Sequence, residues 1–451
     1  MAESLALAMV EPRVAQQTVT FVDNYCAAYR DLFPEVRSFE AFKFLHLGMI
    51  CDIPRKSLPA IAKAVGLSND QVLHHFLTES PWDVKALRKQ RLSLILQQLQ
   101  GRAITLVIDE TGDRKKGKST DYVDRQYIGN LGKIDNGIVS VNAYGVLGTM
   151  TFPLTFKVFK PRKRLKSEDI YQTKIQLAKE IIQELKEFGF KFNLVLADSL
   201  YGESHPFVRL LDKLEYPWIV AIRSNHGVLM PKEQRVRTNR WKTFARIFSN
   251  GKSETRYLQE IIFGKRRDWR YWTITTDPEK LPENSTWHLM SHLPEDLDKQ
   301  VGNLYGLRTW IEYGFKQCKN HLGWADFRLT HYHQIERWWE VVSSAYLMVS
   351  LQFNGLDFPN NQDADSAQAE LLNQFRQHPC WNQVSGWKHR LNNLQLIIQP
   401  YIYYCLIKPW LKVFDSWHLR VGFHWLITIM NEFIGYVPLS MKSDFHYFSS
   451  A

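Results

Sequence analysis

Residues 103–110 read AITLVIDE and residues 193–198 read NLVLAD, two short apolar runs that each end in an aspartate, Asp109 and Asp198. Runs of this length that are apolar at nearly every position, rather than every second one, are strands buried on both faces. A glycine follows each acid within a few residues, Gly112 or Gly202, and is expected to turn the chain there. Working outward, IVSVNAYGVL (138–147) and TFPLTFKVF (151–159) are two further strands, 171–188 is a helix, and WIVAIRS (218–224) is another buried strand. Helix and strand alternate from here on, which predicts an α/β domain around a mixed sheet. Between about 225 and 300 the alternation is broken by RYWTITTD and STWHLMSH, short strand-like pieces among basic residues, read as a β-rich insertion.

The flanks are helical. From Arg37 to Gln100 apolar residues recur at spacings of three and four. LPAIAKAVGLSNDQVLHHFL has helix-turn-helix form: a helix from Leu58, Gly66 in the turn, Ser68 as N-cap and a second helix from about Asn69, with a generic helical hairpin as the alternative. After a polar linker at 360–368 the chain is again helical and aromatic.

Of the 451 residues, 45% are hydrophobic and 23% charged, enough for a sizeable core and against intrinsic disorder. Lys and Arg number 57 against 46 Asp and Glu, a net charge of +11 that favours a polyanionic partner, nucleic acid or an anionic membrane surface. The longest apolar stretches are interrupted by Gln399 and by Asn431 and Glu432, so no membrane partner is expected. Glu3 stands where a secretory signal carries basic residues, and a cytosolic protein is expected. Five cysteines without a CxxC pair argue against a zinc ribbon or a disulfide framework.

Strand C-termini are where α/β sheets build their sites, although a lone aspartate there also serves as a turn cap. Two carboxylates brought together repel unless a cation lies between them, which calls for a divalent ion and a third acid. That acid is sought in NLYGLRTWIEYGFKQCKNHLGW (303–324), where Tyr305, Arg308, Glu312, Lys316 and Lys319 recur at helical spacings and so line one face. An amphipathic surface helix with ordinary charge pairs is the other reading of that spacing.

The pattern YxxRxxxExxxxxxK resembles the YREK signature of DDE transposases of the insertion-sequence 4 superfamily. The DETG, KKG and RQYIGNLGK strings near Asp109 are similar to the insertion-sequence 701 group. The resemblance implies an RNase H-like catalytic domain at 101–345, with Asp109 on its first strand, Asp198 on its fourth and Glu312 on a helix beyond the β insertion. It further implies a helical, helix-turn-helix-like DNA-end-binding domain at 1–100 and a helical C-terminal region at 346–451, for which dimerisation is the expected role. Asp109, Asp198 and Glu312 would bind two Mg2+ or Mn2+ ions, and Tyr305, Arg308 and Lys319 would hold phosphates of the transferred strand end. Trp287 would stack on a flipped base. Where relatives carry a tryptophan right after the arginine, this chain has Thr309, with Trp310 one further on.

Cations cluster beside these motifs, at Arg114, Lys115, Lys116 and Lys118 and at Lys157, Lys160, Arg162, Lys163, Arg164 and Lys166. Such clusters give salt-dependent affinity for a DNA backbone, unless they are only solvated loops. Gln71, His74 and His75 are the candidate base readers of the helix-turn-helix. The expectation is a cut-and-paste transposase, nucleoid-associated in a prokaryote. It would act on double-stranded element ends and target DNA as a homodimer, with a hairpin on one end in many relatives. Its rivals are a non-catalytic helix-turn-helix protein and a stand-alone RNase H-like nuclease or resolvase.

Overall fold

The computed structural model describes residues 13–148, 150–248, 251–294, 300–351 and 386–432, with 370, 373, 374 and 376–383. The polar linker at 360–368 lies outside the described residues. The chain opens with α1 (Thr20–Ala27), α2 (Val36–Ile50), α3 (Leu58–Ala64), α4 (Gln71–Thr78) and α5 (Val84–Leu99). Four strands follow, β1 (Ile104–Arg114), β2 (Asp124–Ile128), β3 (Lys133–Leu147) and β4 (Met150–Val158). Next come α6 (Lys174–Phe188), β5 (Phe192–Ala197), α7 (Ser199–Gly202), α8 (His205–Lys213) and β6 (Trp218–Ile222). The insertion supplies β7 (Val236–Thr238), β8 (Lys242–Ile247), β9 (Ser253–Phe263), β10 (Arg270–Thr275) and β11 (Trp287–His292). The chain continues through α9 (Val301–Gly306), α10 (Thr309–His321), α11 (Tyr332–Leu351), α12 (Trp387–Val413) and α13 (Trp417–Glu432).

These elements form two compact units, and the boundary falls inside α5, between Gln90 and Arg91. One unit combines the N-terminal helices with Leu322–Arg328 and, among the described residues, the chain from His333 to Glu432. Its centre is α2, buried at every residue from Ser38 to Ile50, as a helix must be when neighbours surround it. Aromatic stacking ties in the later helices, Trp324 on Trp339 at 4.7 Å and Tyr346 on Trp387 at 4.6 Å. The helix-turn-helix is present, with Gly66 at φ +80° in the turn, a conformation that glycine adopts without steric cost. Its second helix begins later than the sequence reading, at Gln71, and Asp70 rather than Ser68 is the N-cap residue, with no side-chain cap bond. Among the described residues no helix is long and apolar enough to cross a membrane.

The other unit holds an eleven-stranded sheet in the order β2-β3-β1-β5-β6-β11-β10-β9-β7, with β4 on β3 and β8 on β9. β1 runs antiparallel to β3 and parallel to β5, and β5 runs parallel to β6. This mixed α/β unit fits an RNase H-like core, and the insertion extends the same sheet through β11, antiparallel to β6. β2 was not legible in the pattern, so Asp198 follows the fifth strand in chain order. Gly112 does not turn the chain: β1 runs on through it, paired with Val139, as far as Arg114. Leu106, Val107 and Ile108 are fully buried beside Leu196 and Ala197, and each large aliphatic side chain so buried contributes about 1.5–3 kcal/mol. α6 packs Leu177, Ala178, Ile181, Ile182 and Leu185 inward and starts at a capping box between Thr173 and Gln176.

Candidate active site

Ile108 of β1 pairs with Ala197 of β5, so the next residue on each strand, Asp109 and Asp198, sits at the same level of two parallel neighbours. Asp109 Oδ1 accepts the N–H of Glu110 at 2.8 Å. Asp198 caps α7, accepting the N–H of Leu200 at 3.0 Å. Burial pushes the Asp109 carboxyl up to about 7; the charges of Asp198 and Glu110 add to this, while Arg308 opposes it. Asp198 is raised for the same first reason, then by Glu110, again against Arg308.

Glu312 stands in the first turn of α10. The arginine four residues before it joins the acids: Arg308 donates to Glu312 Oε1 at 2.6 Å and lies 3.6 Å from Asp109 Oδ2. Burial alone would lower the Arg308 pKa, but Asp109, Tyr305 and Glu312 outweigh it and raise it. Its Nε is buried and without a hydrogen-bond partner.

The five residues expected on one helix do not share one. The helix breaks at Leu307 and Arg308, where the Thr309 hydroxyl takes the Gly306 carbonyl at 2.9 Å and the N–H of Trp310 turns to the Leu307 carbonyl. A side-chain hydroxyl competing for a backbone acceptor is a recurrent cause of such a break. Tyr305 therefore lies in the last turn of α9, Arg308 lies in the turn that follows, and Glu312 and Lys319 belong to α10. Tyr305 is buried, and its hydroxyl is pushed up to about 12 by burial and by Asp198, Asp109 and Glu312, with Arg308 opposing.

Lys319, expected on DNA phosphates, is turned onto β1, where its ammonium pairs with buried Asp113 at 2.8 Å and donates to the Gly112 carbonyl at 2.7 Å. Trp287, the first residue of β11, contacts the Tyr305 ring edge-on at 5.5 Å. The Arg256 and Arg246 guanidinium groups lie over its ring at 4.5 and 5.0 Å. Half of the cations of the basic segment at 157–166 are paired with acids. Lys157 reaches Glu180 and Glu184, Lys160 pairs with Asp169, Lys166 pairs with Asp121, and Arg164 donates to the Lys118 and Thr120 carbonyls. Arg162 lies over the Tyr171 ring, and Arg162, Lys163 and Lys116 are exposed, with Lys115 half-buried. A count of cations along the chain does not reveal the acids that other elements bring to them.

Sequence reasoning passed over Glu110, Lys174 and Tyr201. Lys174 pairs with Glu110 at 3.0 Å and the Tyr201 hydroxyl donates to it at 3.2 Å. The only available signal was position, Glu110 next to Asp109 and Tyr201 three residues after Asp198.

The donor set is all carboxylate oxygen, which suits magnesium or manganese, and the strand register sets Asp109 and Asp198 side by side. Asp109 and Asp198 fit such an ion. Glu312 does not close the set, because Arg308 takes up its carboxylate, and among the described residues no three His, Cys, Asp or Glu side chains converge closely enough to hold a metal.

The family described as DDE superfamily endonuclease matches residues 31–255, and that described as transposase DDE domain matches residues 166–348. Over 329 residues the chain is 61% identical to a probable transposase for insertion sequence element IS701 from Microchaete diplosiphon, covering 73% of this chain and 87% of that protein. Identity at this level across most of both chains, over a sheet that brings the two strand-end aspartates side by side, means that the chain belongs to the DDE transposases of insertion sequences, close to IS701, and is a DNA-cleaving enzyme.

Proposed function

We propose that this transposase binds the terminal inverted repeats of its element and performs cut-and-paste strand cleavage and transfer at Asp109, Asp198 and Glu312. Divalent metal ions are general to the DDE superfamily, and two Mg2+ or Mn2+ ions are proposed here. Such an ion supplies Lewis acidity toward the phosphate and its nucleophile. Asp109 and Asp198 would hold it, and Glu312 would join them once its carboxylate leaves Arg308.

The observation that carries this reading is Arg308, a partly buried guanidinium that spans Asp109 and Glu312 and keeps one buried donor, Nε, unpaired. A buried donor without a partner costs free energy of about 1–3 kcal/mol, and a phosphate oxygen would satisfy it. Arg308 thus serves as counter-charge to the acids in the free enzyme and as phosphate anchor in the complex. Tyr305, whose hydroxyl stays protonated beside the acids, donates to the same strand end. Lys319 acts from its place on Asp113, and Trp287, already flanked by two arginines, offers a flipped base what remains of its surface. Lys115, Lys116, Arg162, Lys163 and Arg164 would track the backbone further out. On the helix-turn-helix, Gln71, His74 and His75 are exposed, which supports a base-reading role. Trp410 on α12, Phe414 just past its end, and Trp417 and Trp425 on α13 are exposed, which supports contact with a second copy in a synaptic homodimer.

Asp109→Ala, Asp198→Ala and Glu312→Ala should each abolish cleavage of a labelled end duplex in Mg2+ while end binding by gel shift changes less than about threefold, because holding an ion and holding DNA are separate tasks. Cleavage at a near wild-type rate in any one of them removes that residue from the site.

A further inference from the structure

Glu110 takes no part in the chemistry described so far, yet it is the immediate neighbour of Asp109. Side chains alternate along a strand, so Glu110 leaves β1 on the face opposite Asp109. There both of its carboxylate oxygens are used. Oε1 receives the ammonium of Lys174, the first residue of α6, at 3.0 Å, and Oε2 receives the hydroxyl of Tyr201 at 3.2 Å.

Tyr201 is fully buried, against Phe207 at 5.3 Å, and belongs to α7, the single turn that begins at Asp198. The N–H of its neighbour Leu200, in the same turn, binds the Asp198 carboxylate at 3.0 Å. The next residue, Gly202, is pressed on β6 so tightly that a Cβ there would lie 1.9 Å from the Ala221 carbonyl oxygen. The turn is therefore held from two sides, by β6 at Gly202 and by β1 through Glu110 at Tyr201. A path of contacts runs from β1 through Glu110 and the Tyr201 hydroxyl to the α7 turn, whose Leu200 N–H aims Asp198. Lys174 balances the charge that Glu110 brings next to Asp198.

We propose that Glu110, Tyr201 and Lys174 are positioning residues that fix the α7 turn and so aim the Asp198 carboxylate at the divalent ion it shares with Asp109. The proposal rests on the reading of Asp109 and Asp198 as ion-holding acids. Glu110 does not itself serve as a ligand, since both of its oxygens are engaged on the other face of the strand. Partners that orient a ligand typically govern metal affinity by a factor of about 10–100.

The test is Mn2+ binding by the full-length protein without DNA, followed by electron paramagnetic resonance of the free ion, alongside the Mn2+ dependence of end nicking. Tyr201→Phe and Glu110→Ala should each weaken Mn2+ binding about tenfold. The half-saturating Mn2+ for nicking should move by the same factor, and the rate at saturating Mn2+ should stay within about threefold of wild type. Glu110→Gln, which keeps an oxygen for the Tyr201 hydroxyl, should restore most of the affinity.

Unchanged Mn2+ affinity in Tyr201→Phe overturns the proposal, and that variant carries the test if Glu110→Ala misfolds. Glu110→Gln binding as weakly as Glu110→Ala also overturns it, because charge rather than the tyrosine contact would then matter. Asp198→Ala separates the two layers. If it binds Mn2+ and cleaves like wild type, the reading of the acids fails; if it loses both while Tyr201→Phe and Glu110→Ala keep both, only the positioning role fails.

Discussion

His46 is fully buried on α2, between the Phe42 carbonyl at 2.8 Å on Nδ1 and the Ser344 hydroxyl at 2.9 Å on Nε2. Burial lowers its pKa from 6.5 to about 4, against the opposing pull of the Phe42 carbonyl, so the fold holds it neutral. An unfolded chain takes up a proton below 6.5 that the fold refuses until about 4, so stability is complete above pH 6.5 and is lost as pH falls through that window. The loss amounts to about 3 kcal/mol. Melting curves between pH 7 and 4.5 should fall more steeply for wild type than for His46→Gln; parallel curves would mean that His46 does not set the acid limit. Single residues differ in how far sequence reveals them. Asp109 and Asp198 were legible because each ends an apolar run, where burial is a property of the run itself. Glu110 and Tyr201 were not, because their importance depends on a hydroxyl meeting a carboxylate across 91 positions of chain.

Elements were legible wherever periodicity alone decides them, as in β3, β5, β6 and α6. Reading failed where a side chain competes with the backbone or a neighbour extends an element. Thr309 splits the predicted helix into α9 and α10, and pairing with β3 carries β1 past Gly112 to Arg114. The split gives Arg308 and Lys319 different work. Arg308 lies in the turn with an unpaired donor, whereas Lys319 staples α10 to β1 through Asp113. In Arg308→Ala, first-strand nicking should fall and joining to target should fall at least tenfold further, because a cut end must be held by its phosphates until target arrives. In Lys319→Ala, nicking and joining should fall together with the melting temperature, because the loss moves the helix that carries Glu312. Both are read on one labelled end duplex with target plasmid. A parallel loss in Arg308→Ala would return the helix to a purely hydrolytic role, and a selective loss of joining in Lys319→Ala would place its ammonium on DNA.

At the scale of the whole molecule, composition indicated an ample core and a basic protein, but not how the chain is divided. The N-terminal helices share a unit with α11, α12 and α13, and no local pattern announces a partner hundreds of residues away. That unit is joined by polar contacts as well as apolar ones. Tyr25 and His46 both reach Ser344, and Arg88 of α5 spans Glu340 at 2.9 Å and Glu336 at 2.9 Å on α11. The Glu340 side chain has no exposure at all, so its charge depends on partners inside the protein. Removing one member of a buried pair leaves the other charge poorly compensated, which costs about 3–5 kcal/mol, whereas replacing both can be close to neutral. Arg88→Met should therefore lower stability to urea by about 3 kcal/mol, and Arg88→Met combined with Glu340→Gln should recover part of that loss. An additive double variant would show that Arg88 and Glu340 stabilise the unit independently, and the ion pair would then have no part in joining α5 to α11.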